Sequence, residues 1–294
     1  MPCLFIKEDI MKRALLLVAL FAVALGSSTF ARSHKIDDGF APENNLWIGV
    51  DDKMVSTVTK EAFNKIMDDV GAIYAPIVKA RGGTLQFQRN WDDGTVNAYA
   101  SRSGTTWVVA MFGGLARYKD MTVDGFTYVV CHELGHHLGG APKYARNPWA
   151  SVEGQSDYYG GLKCMKRLWA NDDNVAIVEA MKVDATVNAK CDKAFNNSNE
   201  AALCKRLSMA GLTLGQTLAD LGREKAVSFT TPSTVVVTKL MESHPPAQCR
   251  LDTYFAAALC DKDPTEDFSD TDRLVGACNA GTDKVGIRPA CWYK

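Results

Sequence analysis

Several features that mark large classes of protein are missing from this sequence. Its formal net charge is only -1, and no basic block, repeat or low-complexity tract occurs, so we expect no nucleic-acid partner. The main apolar run, residues 14–25, is too short to span a bilayer comfortably, and we expect no stable membrane insertion of the mature chain. The sequence has no Cys-x-x-Cys pair, which argues against a cysteine-based zinc site.

Histidine is also scarce, but its distribution is informative. Of the 5 histidines, three fall within the segment HELGHHLGG at residues 132–140. On a helix, His132 and His136 project from one face, roughly 6 Å apart, where two imidazoles can share a metal ion. Glu133 is rotated by about 100° around the axis, near enough to take a proton from a water at that metal. An exposed polar helix face is the alternative, which the apolar flanking residues disfavour.

A catalytic zinc ion needs a third protein ligand and an open position. The segment VEGQSD supplies Glu153, with Asp157 four residues later on a second predicted helix. We expect Glu153 to complete the ligands of one zinc ion, and Asp157 to accept the free N–H of a ligating histidine. The alternative is that both are ordinary acids at a helix N-terminus, where the helix dipole favours them.

His-Glu-x-x-His followed by Glu-x-x-x-Asp resembles the motif pair of the gluzincin metallopeptidases. Two further stretches are similar to the HtpX-type and CAAX prenyl protease branch: Asn97, Ala98, Tyr99 and Ala100 before the zinc helix, and SHPPAQCR at residues 243–250 after it. The resemblance covers roughly residues 55–260. It implies a zincin-like peptidase in which His244 stabilises the oxyanion and Arg250 pairs with the acids of the Glu153 motif.

The sequence departs from that branch in two respects. Only 16 residues separate His136 from Glu153, fewer than in many members, so an intervening element is reduced. The membrane-spanning helices of its best-known members are missing from the mature chain. The missing membrane helices argue against a role in membrane-protein quality control and against prenylated substrates, and we expect a soluble exported version that acts on a peptide or protein substrate.

The N-terminal region is typical of a secretory signal peptide. Residues 11–31 combine a basic start, the apolar run and small residues that end at Ala31, after which we expect cleavage. Residues 1–10 are interpreted as an extension from an upstream start codon. We therefore expect an exported, periplasmic or secreted chain, with residues 32–294 as a single metallopeptidase domain.

Cysteine usage agrees with export. The sequence has 9 cysteines, and all except Cys3 follow the leader, so an even number in an exported chain predicts disulfides. Cys249 and Cys260 lie about 16 Å apart on one predicted helix, so each must pair elsewhere. Cys191 with Cys204, and Cys278 with Cys291, are plausible local pairs. We expect Cys131 to tie the zinc helix to a neighbour.

The spacing of apolar residues predicts an α+β fold. Helices are expected at residues 59–80, 151–170, 199–221 and 248–260, and strands near 85–87, 96–100 and 107–112. Turn pairs at Asp93-Gly94 and Ser103-Gly104 favour a small antiparallel sheet. The sheet and zinc helix would occupy about 55–140, and a helix-rich, disulfide-stabilised half about 150–294. Val235–Val237 fit either a strand or a helix start.

Two parts of the chain have expected roles in substrate access. Residues 97–101 are expected to be an edge strand that holds the substrate backbone by strand addition. Residues 32–55 are an extended lead-in, which we interpret as a candidate propeptide. Two alternatives to the peptidase stay open, namely an inactive binding protein that a metal stabilises and a zinc amidase that acts on cell-wall peptides.

Overall fold

The computed structural model describes residues 34–35, 39–52 and 56–294; the predicted signal peptide and its extension, residues 1–31, lie outside them. The strands are β1 (His34–Lys35), β2 (Thr84–Asn90), β3 (Ala98–Ser103) and β4 (Thr106–Phe112). The helices are α1 (Lys60–Ala80), α2 (Gly113–Ala116), α3 (Val123–Leu138), α4 (Glu153–Tyr159), α5 (Lys166–Leu168), α6 (Asn174–Glu179), α7 (Ala185–Ala194), α8 (Ser198–Leu221) and α9 (Ala247–Leu259). The fold is therefore α+β, as predicted.

The strands form a mixed sheet in the order β1-β3-β4-β2. β3 and β4 are an antiparallel hairpin, with Ser103 opposite Thr106 and a left-handed Gly104 in the turn. β2 pairs with β4 in parallel, with Thr84 opposite Thr106. The predicted all-antiparallel sheet is therefore wrong. β4 lies between its hairpin partner β3 and β2. Because β2 and β3 run in opposite directions, β4 is antiparallel to β3 and parallel to β2.

Helix α3 carries the HELGH segment and lies in the core. The Thr122 hydroxyl accepts a hydrogen bond from the Gly125 amide and caps its N-terminus. The helix ends at Leu138, with Gly139 as its C-terminal cap, and every residue from Gly125 to Leu138 is buried. A histidine or carboxylate on this helix therefore has to find its partners inside the protein.

The second half of the site lies on a helix that passes very close to α3. α4 continues through a π-helical stretch, Gly160–Met165, into α5. A Cβ on Gly135 would come within 2.8 Å of the Ser156 carbonyl oxygen, and one on Gly160 within 2.9 Å of the Tyr128 ring. These two glycines allow the backbones to approach, and the approach brings the start of α4 to the histidines of α3.

Helices dominate the C-terminal half, in agreement with the prediction. The predicted helices at 199–221 and 248–260 correspond to α8 and α9. Residues 235–237, which the sequence left open, form no regular element. α9 packs extensively on α8 and also contacts α4, so it carries Arg250 into the interior beside the HELGH helix.

Four disulfides connect the described cysteines. They join Cys131 to Cys164, Cys191 to Cys204, Cys249 to Cys291 and Cys260 to Cys278. The tie from Cys131 to a neighbouring helix and the 191–204 pair are confirmed, whereas the predicted pair of Cys278 with Cys291 is wrong. The C-terminal segment runs back along α9, so these two cysteines meet opposite ends of that helix.

Among the described residues, no helix is long and apolar enough to cross a membrane. The four disulfides indicate that the chain folds in an oxidising compartment.

Candidate metal centre

Three buried side chains converge on one point between α3 and α4. The Nε2 atoms of His132 and His136 lie 3.1 Å apart. Glu153 places Oε2 at 3.3 Å from Nε2 of His132 and Oε1 at 3.5 Å from Nε2 of His136. Two ligand atoms of a tetrahedral zinc ion lie about 3.3 Å apart, given bonds of about 2.0–2.1 Å. The three predicted ligands therefore form a group that could hold a metal ion.

Both imidazoles are oriented through the nitrogen that points away from this centre. Nδ1 of His132 lies 2.7 Å from Oδ1 of Asp157, and Nδ1 of His136 donates to the Ser151 carbonyl at 2.8 Å. These contacts leave each Nε2 directed at the centre, which is the usual arrangement of ligating histidines. The structure thus brings Asp157 to one of the two predicted histidine ligands, His132.

Arg250 closes the far side of this arrangement. Its guanidinium donates to both oxygens of Asp157, at 2.8 Å from Nε and 2.7 Å from Nη2. It also lies 3.8 Å from the Glu153 carboxylate. All three side chains are fully buried, so the bidentate pair is shielded from solvent and orients both acids.

Burial and the surrounding charges shift the pKa values of the two histidines in opposite directions. Burial lowers the pKa of His136 to about 4, so its Nε2 offers a lone pair at neutral pH. Burial also disfavours the imidazolium of His132, but the charges of Asp157 and Glu153 outweigh it and raise the pKa of His132 to about 9. Burial opposes ionisation of Asp157 too, yet Arg250 and His132 hold its pKa below the usual range. Charge at Nε2 of His132 is therefore favoured, whether from a proton or a metal ion.

Glu133 is a buried carboxylate with no matching donor. It is completely inaccessible to solvent, and neither oxygen has a hydrogen-bond partner among the described residues. Burial raises its pKa to about 8. A carboxyl group so placed is costly unless it meets positive charge or a polar ligand, and it therefore indicates that something polar binds beside it.

The balance of buried charge also fits a cation. Glu133, Glu153 and Asp157 are three buried carboxyl groups, and Arg250 is the one guanidinium among them. Without a further cation, this negative charge is balanced only if Glu133 and His132 each hold a proton, as their raised pKa values indicate. A divalent cation at the Nε2 atoms would take the place of these two protons, so the donor set and its surroundings fit a metal ion.

His244 approaches the centre from the loop before α9. Its Nε2 donates to the Gly39 carbonyl oxygen at 2.7 Å and lies 3.6 Å from Oε2 of Glu153. Its side chain is 15% exposed, unlike the ligands, and so it lies at the entrance of the site. The structure therefore brings His244 and Arg250 together at the candidate metal centre.

The predicted substrate strand is located differently from the expectation. β3 includes Ala98, Tyr99 and Ala100, but it is not an edge strand, because β1 pairs with its outer side. The side-chain amide of Asn97 accepts a hydrogen bond from the Ala41 N–H at 2.9 Å and donates one to the Ala41 carbonyl oxygen at 3.1 Å. The edge is therefore occupied by the chain's own N-terminal segment, a pairing that periodicity within the segment could not reveal.

Sequence reasoning missed two residues at the centre. Tyr144 donates its hydroxyl to Oε1 of Glu153 at 3.1 Å, and burial raises the pKa of Tyr144 strongly. Phe40 packs its ring edge-on against His132, with centroids 5.3 Å apart. Both come from irregular segments, where no spacing rule links them to the HELGH helix.

His137, the third histidine of the segment, points away from the centre. Its Nδ1 accepts from Arg102 at 3.3 Å and its Nε2 donates to the Val108 carbonyl at 3.0 Å. The ring stacks between Trp107 and Trp149. His137 therefore joins α3 to the sheet and is not part of the ligand set.

Comparison with known proteins finds no family model, curated protein or solved structure that matches this chain.

Proposed function

We propose that this protein is an exported zinc-dependent endopeptidase of the gluzincin kind, similar in its motifs to the HtpX-type and CAAX prenyl protease branch. One observation carries the proposal: the unpartnered, fully buried carboxylate of Glu133 follows His132 on α3 and interacts electrostatically with His132 and Glu153, two members of the converging group. A purely structural metal site needs its ligands alone. A spare carboxylate at its side is what hydrolysis requires of a general base.

A zinc ion at this centre would polarise the scissile carbonyl and activate a water molecule. A cation at the Nε2 atoms would favour the ionised form of Glu133, which then takes the proton from the attacking water, since neither of its oxygens has a hydrogen-bond partner among the described residues. The same carboxyl group then delivers the proton to the leaving amine. Its position one residue after His132 keeps it beside the ligands on the rigid α3.

The remaining polar groups have positioning and stabilising roles. His244, at the entrance, donates a hydrogen bond to the carbonyl oxygen that becomes the oxyanion, as it donates to Gly39 here. Asp157 orients His132 through its contact with Nδ1, and Arg250 holds Asp157 in place through their buried ion pair. Tyr144 holds Glu153 through Oε1, which leaves Oε2 for the metal ion.

The test combines metal content with cleavage of a diverse peptide library, followed by mass spectrometry. The wild-type protein is expected to bind one equivalent of zinc, and to cleave once its N-terminal segment has been removed. Glu133→Gln is expected to bind zinc as well as the wild type while cleavage falls by more than about 100-fold. His136→Ala is expected to lose both properties.

Glu179→Gln is the matched control, since Glu179 is an exposed carboxylate at the end of α6. It is expected to keep full zinc content and activity. Zinc binding without any Glu133-dependent cleavage, in protein whose N-terminal segment has been removed, would favour a metal-stabilised binding protein. Cleavage of cell-wall peptides alone would favour the amidase.

A further inference from the structure

Residues 39–41 lie along β3 in the manner of an added strand. The Phe40 amide donates to the Ala98 carbonyl at 2.9 Å. The Asn97 side chain accepts from the Ala41 amide and donates to the Ala41 carbonyl. β1 is antiparallel to β3, and residues 39–41 continue in the same direction towards its start. Backbone pairing of this kind is how a sheet binds an extended peptide.

The carbonyls of this segment point at the polar groups of the metal centre. Gly39 directs its oxygen to Nε2 of His244 at 2.7 Å, and Phe40 directs its oxygen to Nη1 of Arg250 at 2.7 Å. The same His244 nitrogen is 3.6 Å from the Glu153 carboxylate. The Gly39–Phe40 peptide bond therefore lies at the donor that the proposed reaction would use.

The side chain of Phe40 packs against His132, one of the candidate metal ligands. Its ring is fully buried, is nearly perpendicular to the His132 ring and lies under the Arg250 guanidinium, 4.7 Å from the ring centroid. Burial of an aromatic ring against an imidazole and a guanidinium is favourable through both apolar area and cation–π attraction. With Phe40 in this position, a second peptide cannot reach the same side of His132.

Gly39 shows why this segment differs from a substrate that would be cut. Its φ is +68°, and a Cβ there would meet the Ala98 carbonyl oxygen at 2.3 Å. The backbone therefore leaves the extended conformation at the peptide bond nearest the centre. An extended strand is the geometry in which zinc peptidases hold a scissile bond, so the segment fills the site in a form that is unsuited to attack.

We propose that residues 39–41 occupy the place of a peptide substrate, so that the structure is a latent state with its own N-terminal segment in the site. The proposal rests on the proposed peptidase function. It defines the substrate class as extended peptides that pair with β3 and place an aromatic or large apolar side chain where Phe40 lies. Displacement or removal of the segment opens the site.

The experiment removes the segment after folding. A sequence-specific protease site introduced at residues 43–46, of which Glu43, Asn45 and Leu46 are exposed, allows the folded protein to be cut and the N-terminal fragment to be separated. Two readouts need no catalysis: the rate at which zinc passes to a chromogenic chelator, and the binding of a fluorescent peptide with the sequence of residues 33–42.

The cut protein is expected to release zinc to the chelator more than about tenfold faster than the uncut protein and to bind the peptide in a one-to-one complex. A peptide with Phe40→Ala is expected to bind more than about tenfold more weakly, because the buried ring is lost. Uncut protein is expected to bind neither peptide. Glu133-dependent cleavage is expected to rise with the removal of the fragment.

Two full-length variants keep the test independent of the cut. Phe40→Ala is expected to accelerate zinc release, whereas Trp47→Ala is the control, since Trp47 lies in the same lead-in but is exposed and packs on Gly94. Equal zinc release from wild type and Phe40→Ala, with no peptide binding after the cut, would overturn the proposal. Unfolding of the cut protein on separation would also overturn it, because the segment would then be core.

The outcomes separate this inference from the proposed function. Peptide binding and faster zinc release without any cleavage would support the binding site and contradict the peptidase. Cleavage that depends on Glu133 and is equally fast before and after the cut would support the peptidase and contradict the latent state.

Discussion

Arg250 and Asp157 form a bidentate pair, with hydrogen bonds of 2.8 and 2.7 Å between side chains that are both fully buried. One member lies on α9 and the other on α4, so the pair joins two helices directly behind His132. Because the pair is shielded from solvent, each member depends on the other for its charge to be tolerated.

The first prediction concerns Asp157→Asn. The change removes the charge that orients His132 and leaves Arg250 without a full counter-charge, so zinc affinity is expected to fall by about 10- to 100-fold. Zinc affinity is measured by competition with a chelator of known strength. Asp69→Asn is the control, because Asp69 is part of a solvent-exposed pair with Lys65 on α1. An unchanged affinity in Asp157→Asn would show that the contact does not tune the ligand.

The second prediction concerns Gly135→Ala. A methyl group on residue 135 would lie 2.8 Å from the carbonyl oxygen of Ser156 and 2.9 Å from the Cα of Ser156, so α3 and α4 must separate. We expect the free energy of unfolding to fall by about 1–3 kcal/mol and zinc affinity to fall with it, because Glu153 moves away from the histidines. Denaturant unfolding with and without zinc measures both effects.

Gly281→Ala is the matched control, since a Cβ at Gly281 meets nothing within 4 Å. It is expected to leave both quantities unchanged. Equal stability and zinc affinity in the two alanine variants would contradict the close helix contact.

The third prediction concerns the disulfides. Serine at both Cys249 and Cys291 is expected to lower the free energy of unfolding by about 2–5 kcal/mol, and also to weaken zinc binding, because Cys249 precedes Arg250 on α9. Serine at both Cys191 and Cys204, which join α7 to α8, is expected to lower stability with zinc affinity intact. Similar losses of zinc affinity in both double variants would contradict the specific role of α9.

The fourth prediction concerns pH and a residue remote from the metal centre. Burial lowers the pKa of Lys166 to about 7 from its ordinary 10.5, and its ammonium donates to the Cys260 carbonyl. Between these two pH values the unfolded chain binds a proton that the folded chain does not. The contribution of Lys166 to the free energy of unfolding is therefore expected to increase as the pH rises over this range.

Lys166→Met removes this contribution and tests the sign. Its free energy of unfolding is expected to change less steeply than that of the wild type from about pH 7 upwards. Lys65→Met is the control, since Lys65 is largely exposed on α1. Parallel pH profiles for wild type and Lys166→Met would show that the buried amine does not titrate in this range.

Much of the local structure and of the candidate ligand set was predictable because it follows from spacing within one segment. His132 and His136 share a helix face by periodicity, and α3 ends at Leu138, directly before Gly139 and the left-handed Gly140, as glycines at a helix end favour. The prediction that Glu153 completes the ligand set depended only on a second helix that begins near this residue. These features depend on contacts that are close in sequence or confined to one pair of helices.

What the sequence did not reveal depends on pairing between distant segments. The parallel β2–β4 contact, the partners of Cys278 and Cys291, and the position of Phe40 against His132 are set by how the whole chain packs. The local spacing of apolar residues does not show which strand pairs with each side of β4, or that an N-terminal segment pairs with β3. The place of residues 39–41 was therefore visible only in the assembled fold.

Both ends of α9 are covalently joined to the segment that returns along it, through Cys249 and Cys260. A chain whose cysteines are still reduced can form the HELGH helix, but it has no covalent hold on the helix that delivers Arg250. Oxidation of these four thiols therefore restrains the helix that carries Arg250 at both of its ends, and through the Arg250–Asp157 pair it restrains the side of the candidate metal centre behind His132.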